Sequence, residues 1–248
     1  MKIALIGYGQ MGKAIEKIAL AQGHSITVRI DANEELSKMK TELKLSDVAI
    51  EFTQPESAYK NILSCFDINL PVVCGTTGWL DKMPEVKRVC LEKNQSFFYA
   101  SNYSIGVNIF FEINKLLAGI MEKHPSYDEI TIHESHHLRK LDAPSGTAIT
   151  LAEQIVDKIT RFKSWSTHTS GENMDLKSPK SNSVLPIYST READVPGTHI
   201  IKYFSEQDEI EIIHKAYNRE GFAKGALTAA LWLKDKKGFY GMEDLLSL

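Results

Sequence analysis

The sequence predicts an α/β protein in two parts: a parallel sheet with helices on its faces, followed by an α+β region with a mixed sheet. Up to Asn102, short apolar runs alternate with helical patterns, which is typical of parallel strands joined by helical crossovers. After Asn102 comes one long helical pattern, and later strands follow one another. The length of 248 residues suits one large domain or two small ones.

Five strands are predicted in the first part, at residues 2–6, 25–30, 48–52, 71–74 and 96–99. The first is a mostly apolar run that stops at Gly7, as buried parallel strands do. Helices are predicted between the strands, at residues 11–20, 55–66 and 81–93. The first helix has apolar residues at helical spacing, and Gly23 follows it as a stop signal.

The second part begins with a helix at residues 105–121, where apolar side chains recur at helical spacing. Residues 164–182 are polar and aperiodic, which predicts a surface loop. Residues 198–204 and 209–214 flank a short polar turn and are predicted to pair as an antiparallel hairpin. The other predicted elements are strands at 127–134 and 184–190 and helices at 147–159 and 225–233.

Composition excludes several classes of protein. The net charge of -3 provides no basic field for nucleic acid, so no nucleic-acid partner is expected. No apolar run is long enough to span a bilayer, and no signal peptide is expected because Met1-Lys2-Ile3 runs straight into a strand pattern. Three cysteines without a CxxC motif indicate a reducing, cytoplasmic location.

A glycine motif follows the first strand and opens the first helix. Gly7, Gly9 and Gly12 form GxGxxG, in which Gly7 permits a tight turn, Gly9 lets backbone approach a pyrophosphate, and Gly12 lets helix and strand pack closely. Phosphates would lie at the helix N-terminus. This context favours a Rossmann-type dinucleotide-binding domain over a plain glycine-rich turn.

An acidic residue ends the second strand, where such folds bind the adenosine ribose. A carboxylate at Asp31 accepts a hydrogen bond from a 2′-hydroxyl and repels a 2′-phosphate, which favours NADH over NADPH. Arg29 leaves NADPH open as an alternative cofactor, because its side chain could reach the rim of the site. A helix cap or turn acid is the alternative for Asp31.

A second glycine-containing loop, Gly75-Thr76-Thr77-Gly78, follows the fourth strand. It lies at the predicted carboxyl edge of the sheet, where ligands of open α/β folds bind. A simple turn before the next helix is an equal alternative.

The densest titratable cluster is at residues 133–140, HESHHLRK. A zinc site from His133, His136 and His137 is disfavoured, because HxxHH is not a standard zinc spacing. A solvated loop and a catalytic loop remain. In the catalytic interpretation a histidine delivers a proton, Lys140 holds a carboxylate or donates a proton, and the helix opened by residues 145–147 seats another carboxylate. Together with the dinucleotide site, this predicts a nicotinamide-dependent reductase of a small diacid.

The run at residues 134–148, ESHHLRKLDAPSGTA, resembles the signature E-x-H-H-x-x-K-x-D-A-P-S-G-T-A of the dihydrodipicolinate reductase family. Other segments are similar to family motifs in the same order. They are EFTQPE at 51–56, GTTG at 75–78, ASNYSIGVN at 100–108, and HKA with the following Arg, Phe and Gly-Ala at 214–226. The resemblance spans nearly the whole chain.

The resemblance implies a dinucleotide-binding domain of residues 1–103 with 219–248, and a substrate-binding and oligomerisation domain of residues 104–218. It implies NAD(P)H-dependent reduction of dihydrodipicolinate, formed from 4-hydroxy-tetrahydrodipicolinate, to tetrahydrodipicolinate in diaminopimelate and lysine biosynthesis. The expected partners are a small dicarboxylate substrate and further copies of the chain, in a homotetramer built through the strands of 184–214.

Position by position, the resemblance implies His136 as the acid and Lys140 as a second proton donor. The implied substrate-binding residues are His137, Lys140, Gly146 and Thr147. The implied cofactor-binding residues are Gly7, Gly9, Gln10, Met11, Gly12, Asp31, Gly75, Thr76, Thr77, Ala100, Asn102 and Tyr103. No metal is expected.

Departures from the family pattern concern the cofactor. Gln10 stands where Arg is usual, Glu51 where Asp is more frequent, and Tyr103 where Phe is common. The stretch between Asp31 and Val48 is short, which predicts that a strand or helix is missing there.

Two other functions stay open: a dinucleotide sensor without catalysis, and a related reductase of an amino-acid-derived aldehyde or imine. The latter should lack the motif of 136–147.

Overall fold

The computed structural model describes residues 1–31, 34, 36–169, 183–218 and 220–247. The chain divides into two compact units. The first unit comprises Met1–Asn108 and Glu220–Leu248, and the second comprises Ile109–Arg219. The first unit thus extends to Asn108, whereas the resemblance implies a boundary after residue 103.

The sheet of the first unit is parallel and has six strands in the order β11-β5-β4-β3-β1-β2. The strands are β1 (Lys2–Ile6), β2 (Ser25–Ile30), β3 (Val48–Glu51), β4 (Val72–Cys74), β5 (Ser96–Tyr99) and β11 (Gly238–Tyr240). The predicted parallel sheet is confirmed. Sequence patterning missed β11, because a three-residue edge strand is too short to show periodicity.

Helices cover both faces of this sheet. They are α1 (Gln10–Ala21), α2 (Lys40–Leu43), α3 (Pro55–Phe66), α4 (Met83–Glu92), α7 (Glu220–Leu233) and α8 (Met242–Leu246). One core contains Ile15 of α1 and Leu227 of α7, and the other contains Ile62 of α3 and Val86 of α4. Between β2 and β3 a 3-10 turn and the single-turn α2 form the short connection.

The second unit has a mixed sheet of five strands in the order β10-β9-β6-β8-β7. The strands are β6 (Glu129–His137), β7 (Ser164–Thr169), β8 (Val184–Glu192), β9 (Gly197–Phe204) and β10 (Glu209–Ala216), and the helices are α5 (Ile105–Met121), which begins in the first unit, and α6 (Gly146–Lys158). Leu151 of α6 packs in one core with Ile132 of β6 and Ile187 of β8. The predicted mixed sheet and the antiparallel β9–β10 hairpin are confirmed.

Two predicted loops are wrong in part. Strand β6 continues to His137, so all three histidines of the cluster lie on a strand that pairs with β8 and not in a loop. Residues 164–169 form β7, which pairs in parallel with β8, whereas a loop was predicted. Both strand segments are rich in polar side chains, so they show no apolar pattern in the sequence. Residues 170–182 of the predicted loop lie outside the described residues.

The three cysteines are buried free thiols. Burial raises the pKa of Cys90 to about 11 and that of Cys74 well above its usual range. They therefore stay protonated and serve as small core residues. Among the described residues, no helix is long and apolar enough to cross a membrane.

Candidate active site

The glycine loop after β1 is built by close backbone contacts. Gly7 has φ +94°, and a Cβ there would lie 2.0 Å from the Phe52 carbonyl oxygen. A Cβ at Gly12 would lie 2.3 Å from the Gly7 oxygen, whereas one at Gly9 would meet nothing within 4 Å. Gly7 and Gly12 thus permit the fold of the loop, and Gly9 leaves open space in front of α1.

This space suits a pyrophosphate. The N-cap of α1 is Gly9, which has no side chain to offer to the N–H groups of the first turn. Those groups and the helix dipole favour an anion. Gln10 is exposed and Met11 half-buried beside them. The residues present therefore fit a dinucleotide.

Other predicted cofactor residues converge on the same edge because parallel strands end there together. The chain runs from β1 to β2 on one side and returns to β3 on the other, which makes a topological switch point. Gly75 N–H donates to the backbone carbonyl oxygen of Glu51 at 2.9 Å, and the Thr76 hydroxyl accepts from Thr53 N–H at 2.8 Å. Thr77 is exposed.

The segment after β5 divides into buried and half-buried residues. Tyr103 is only 2% exposed and donates its hydroxyl to the Cys74 oxygen at 2.7 Å. Its side chain is therefore part of the core, and a contact of this residue with a cofactor would come from its backbone. Ala100 is buried, and Asn102 is half-buried with Oδ1 accepting from Ser104 N–H.

Asp31 directly follows β2 at the same edge and is exposed. Its backbone N–H donates to Oε2 of Glu34 at 2.9 Å. The carboxylate lies where a ribose-binding acid belongs in this fold.

In the second unit, the buried carboxylate of Glu134 organises the predicted proton donor. Its Oε1 accepts from both terminal nitrogens of Arg191, each at 3.3 Å, and from the Ser145 N–H at 3.1 Å. Its Oε2 lies 3.0 Å from Nδ1 of His136. One side chain on β6 thus binds β8, the start of α6 and its own strand neighbour.

These contacts keep Glu134 ionised. Burial acts to raise the pKa of Glu134, but hydrogen bonds from His136, Ser145 and Ser189 outweigh it and lower the pKa well below its usual range. The network therefore holds a negative charge next to the His136 ring.

His136 is enclosed by small and aromatic neighbours. The residue is 8% exposed, and a Cβ at Gly197 would lie 3.1 Å from its Nε2. Its ring meets that of His199 edge-on at 5.1 Å between centroids. Nε2 of His199 lies 3.0 Å from the Ser145 hydroxyl, which also accepts from Ala148 N–H.

Lys140 is held close to this network. Its ammonium donates to both carboxylate oxygens of Asp142, each at 2.8 Å. Burial acts to raise the pKa of Asp142, but the hydrogen bonds and charge of Lys140 lower it. Arg191 binds the backbone of the same segment, at the Lys140 oxygen (3.4 Å) and the Asp142 oxygen (2.5 Å).

The N-terminus of α6 provides a second anion site of the predicted kind. Ser145 caps the helix through the hydrogen bond from Ala148 N–H. Gly146 is exposed, and a Cβ there would meet nothing within 4 Å. Thr147 is half-buried, as is His137 at the end of β6.

The zinc set of His133, His136 and His137 is not brought together, since alternate residues of β6 face opposite sides of the sheet. Ligand atoms of a different set, Glu134, His136 and His199, lie within 4.8 Å of one another. Arg191 already neutralises the carboxylate of that set. The absence of a metal stays a prediction.

Sequence reasoning missed Arg191 and His199. Each lies on a strand outside the motif that carries the resemblance. Only the sheet register brings them next to the motif: His136 is opposite Arg191 on β8, and Glu134 is opposite His199 on β9. Glu134 lies within the motif. Its full burial could not be read from a polar run.

Comparison with known proteins matches both units. Residues 1–103 match the family model of the dihydrodipicolinate reductase N-terminus, and residues 106–246 match that of the C-terminus. The chain is 46% identical over 250 aligned positions to a 4-hydroxy-tetrahydrodipicolinate reductase of Christiangramia forsetii, covering 100% of this chain and 98% of that one. A reductase of the same name from Archaeoglobus fulgidus is 35% identical over 276 positions, covering 99% and 100%.

Solved structures support the fold. Dipicolinate-bound dihydrodipicolinate reductase from Paenisporosarcina sp. TG-14 superposes with a TM-score of 0.71 at 21% identity, covering 98% of each chain. A probable dehydrogenase from Thermotoga maritima gives a TM-score of 0.55 at 13% identity, covering 99% of this chain and 92% of the other.

The buried His199 predicts a pH dependence of stability. Burial, together with the neighbouring His136, lowers the pKa of His199 to about 3. Between about pH 3 and the unfolded value of ~6.5, the unfolded chain binds a proton that the folded chain does not. The free energy of unfolding therefore falls as the pH decreases through this window, by up to about 1.4 kcal/mol per pH unit from this group.

Chemical denaturation at several pH values measures the slope. His199→Gln should flatten it relative to the wild type, and the matched control, His124→Gln at an exposed position, should keep it. Burial also lowers the pKa values of His133 and His214, but both are present in every variant, so the difference in slopes isolates His199. Equal slopes in wild type and His199→Gln would contradict the prediction.

Proposed function

The chain belongs to the dihydrodipicolinate reductase family, and on this premise we propose that it reduces dihydrodipicolinate, formed from 4-hydroxy-tetrahydrodipicolinate, to tetrahydrodipicolinate. In the reaction the ring gains one hydride and one proton, and NAD(P)H becomes NAD(P)⁺. The observation that carries the proposal is the Glu134–His136 pair next to the N-terminus of α6. The free cysteines agree with a reducing, cytoplasmic location.

His136 is the proton donor in this proposal. Its Nδ1 faces the Glu134 carboxylate, which leaves Nε2 as the ring nitrogen that can give up a proton. The ionised carboxylate orients the ring, while Gly197 leaves room for Nε2. Lys140 is the second donor, with its ammonium held by Asp142 until a substrate carboxylate competes for it.

A dicarboxylate substrate would be bound by two kinds of group. The N–H groups at Gly146 and Thr147, at the start of α6, attract one carboxylate through hydrogen bonding and the helix dipole. The cationic side chain of Lys140, with His137, attracts carboxylate oxygens. The dipicolinate carried by the Paenisporosarcina reductase structure is a molecule of this class.

NADH is the proposed preferred cofactor. When bound, the nicotinamide supplies the hydride. The glycine loop and the N-terminus of α1 would hold the pyrophosphate, with the loop of Gly75, Thr76 and Thr77 at the same sheet edge. Asp31 would accept from the ribose hydroxyls and repel a 2′-phosphate.

A homotetramer is proposed through the face of the second sheet that is opposite α6. Register aligns one row of side chains across all five strands: His168, Tyr188, His133, Ile200 and Ile213. The Tyr188 ring stacks on His133 at 4.9 Å and on His168 at 5.2 Å. Ile213 is 55% exposed, so this row presents an apolar and aromatic surface suited to a second copy.

His136→Gln should lower turnover by roughly a hundredfold or more, because the amide cannot deliver the proton. The assay follows NADH and NADPH oxidation with substrate made in situ from pyruvate and aspartate semialdehyde by the preceding synthase. The control is His124→Gln, at an exposed position outside the site.

Near-normal turnover in His136→Gln would remove His136 from the mechanism. Absence of any synthase-dependent oxidation by the wild type, with dinucleotide binding intact, would reject the reductase and favour a dinucleotide sensor.

Asp31→Ala should weaken binding of NADH far more than binding of NADPH, since only NADH has the 2′-hydroxyl that the carboxylate binds. Dissociation constants from nucleotide fluorescence measure this. Asp67→Ala, which breaks an exposed ion pair with Lys93 in the same unit, is the control. An equal loss for both cofactors, or none, would reject the role of Asp31.

Light scattering should give a mass near four times 27.9 kDa for the wild type. Ile213→Asp places a charge in the proposed interface and should yield smaller species. Leu91→Asp, at a residue on α4 that is 56% exposed, should leave the mass unchanged. A monomeric wild type would refute the tetramer.

A further inference from the structure

A buried carboxylate in the first unit joins three elements around the glycine loop. Glu16 of α1 accepts from Nε of Arg29 at 2.9 Å through Oε1, and Nη2 of Arg29 donates to the same oxygen. The Tyr8 hydroxyl donates to Oε2. The Glu16 side chain is 11% exposed. One acid thus holds both an arginine and a tyrosine.

The two partners of Glu16 lie next to the proposed dinucleotide site, Tyr8 in the loop for the pyrophosphate and Arg29 near the acid for the adenosine ribose. Tyr8 stands between Gly7 and Gly9 in the glycine loop. Arg29 is the penultimate residue of β2, and Asp31 directly follows the end of that strand. The cation that could recognise a 2′-phosphate and the acid that would bind a 2′-hydroxyl therefore lie two positions apart at the same end of β2.

The ion pair with Glu16 makes Arg29 unavailable to a 2′-phosphate. A guanidinium binds phosphate through paired N–H donors and by its charge. Here Nε and Nη2 both point at Glu16, and its carboxylate neutralises the charge. The Tyr8 ring, 5.9 Å from the guanidinium carbon, adds a cation–π contact. The Arg29 side chain is 43% exposed, so it has room to turn outward once released.

The protonation states agree with this geometry. The hydrogen bonds from Arg29 lower the pKa of Glu16, and those to Glu16 raise the pKa of Arg29. Both groups are therefore charged at neutral pH.

We propose that Glu16 is a specificity-determining residue, which holds Arg29 away from the 2′ position of the adenosine ribose and so secures the preference for NADH. This rests on the proposed function, in that it assumes a dinucleotide at the glycine loop. Asp31 supplies attraction for the hydroxyl, and Glu16 removes the nearby attraction for a phosphate.

The test uses nucleotide fragments and needs no turnover. Adenosine 2′,5′-bisphosphate and 5′-AMP differ only in the 2′-phosphate, and calorimetry gives the ratio of their dissociation constants. Glu16→Gln keeps the shape but removes the charge that holds Arg29. We expect the ratio to shift toward the bisphosphate by about tenfold or more, the effect of one charge-assisted hydrogen bond.

Two further variants identify the cause. Glu16→Met removes the acceptor altogether at similar volume, and it should shift the ratio at least as far; it also serves if Glu16→Gln does not fold. The double variant E16Q/R29L should return the ratio to the wild-type value, because the freed guanidinium is gone. Glu92→Gln breaks the Arg88–Glu92 ion pair on α4 and should leave the ratio unchanged.

The outcomes separate this proposal from the one it rests on. An unchanged ratio in the Glu16 variants, or a shift that persists in E16Q/R29L, would overturn the role of Glu16 and leave the pair with a structural role only. Binding of neither nucleotide by the wild type would overturn the cofactor site itself, and this inference with it.

Discussion

The second unit is organised by the need to compensate one buried charge. An ionised carboxylate without partners is costly inside a protein, and removal of one partner from a buried pair typically costs about 3–5 kcal/mol. Glu134 is fully buried; Arg191 and the Ser145 N–H bind its Oε1, and Nδ1 of His136 lies 3.0 Å from its Oε2. These contacts set the positions of β8, the start of α6 and the imidazole at once, so the charge that stabilises the site also orients its proton donor.

The same physical device recurs in the first unit at a different place. Glu16 is nearly buried, and its two oxygens hold Arg29 and Tyr8. In both units a carboxylate on a regular element binds an arginine on a neighbouring strand. The consequence differs because the surroundings differ: one pair orients a histidine, and the other keeps a cation from the ribose end of a nucleotide site.

Much of the fold could be predicted because its signals are local. The strands Lys2–Ile6 and Ser96–Tyr99 and the helices Pro55–Phe66 and Ile105–Met121 have the predicted bounds, since apolar periodicity and flanking glycine or proline decide them. Strand β7 and the end of β6 could not be predicted, because they are strands through pairing with β8 and have no apolar pattern. For the same reason a histidine cluster predicted as a loop lies mostly on a strand.

The candidate site divides in the same way. By itself the sequence determined the glycine loop, the acid after β2 and the run from Glu134 to the start of α6, because each is a contiguous segment whose chemistry follows from neighbouring residues. Only the tertiary structure decided that Arg191 and His199 meet that run, and that Arg29 is bound to Glu16. These contacts join residues distant in the chain through sheet register and helix packing. Neither register nor helix packing produces a periodic or contiguous pattern in a single sequence.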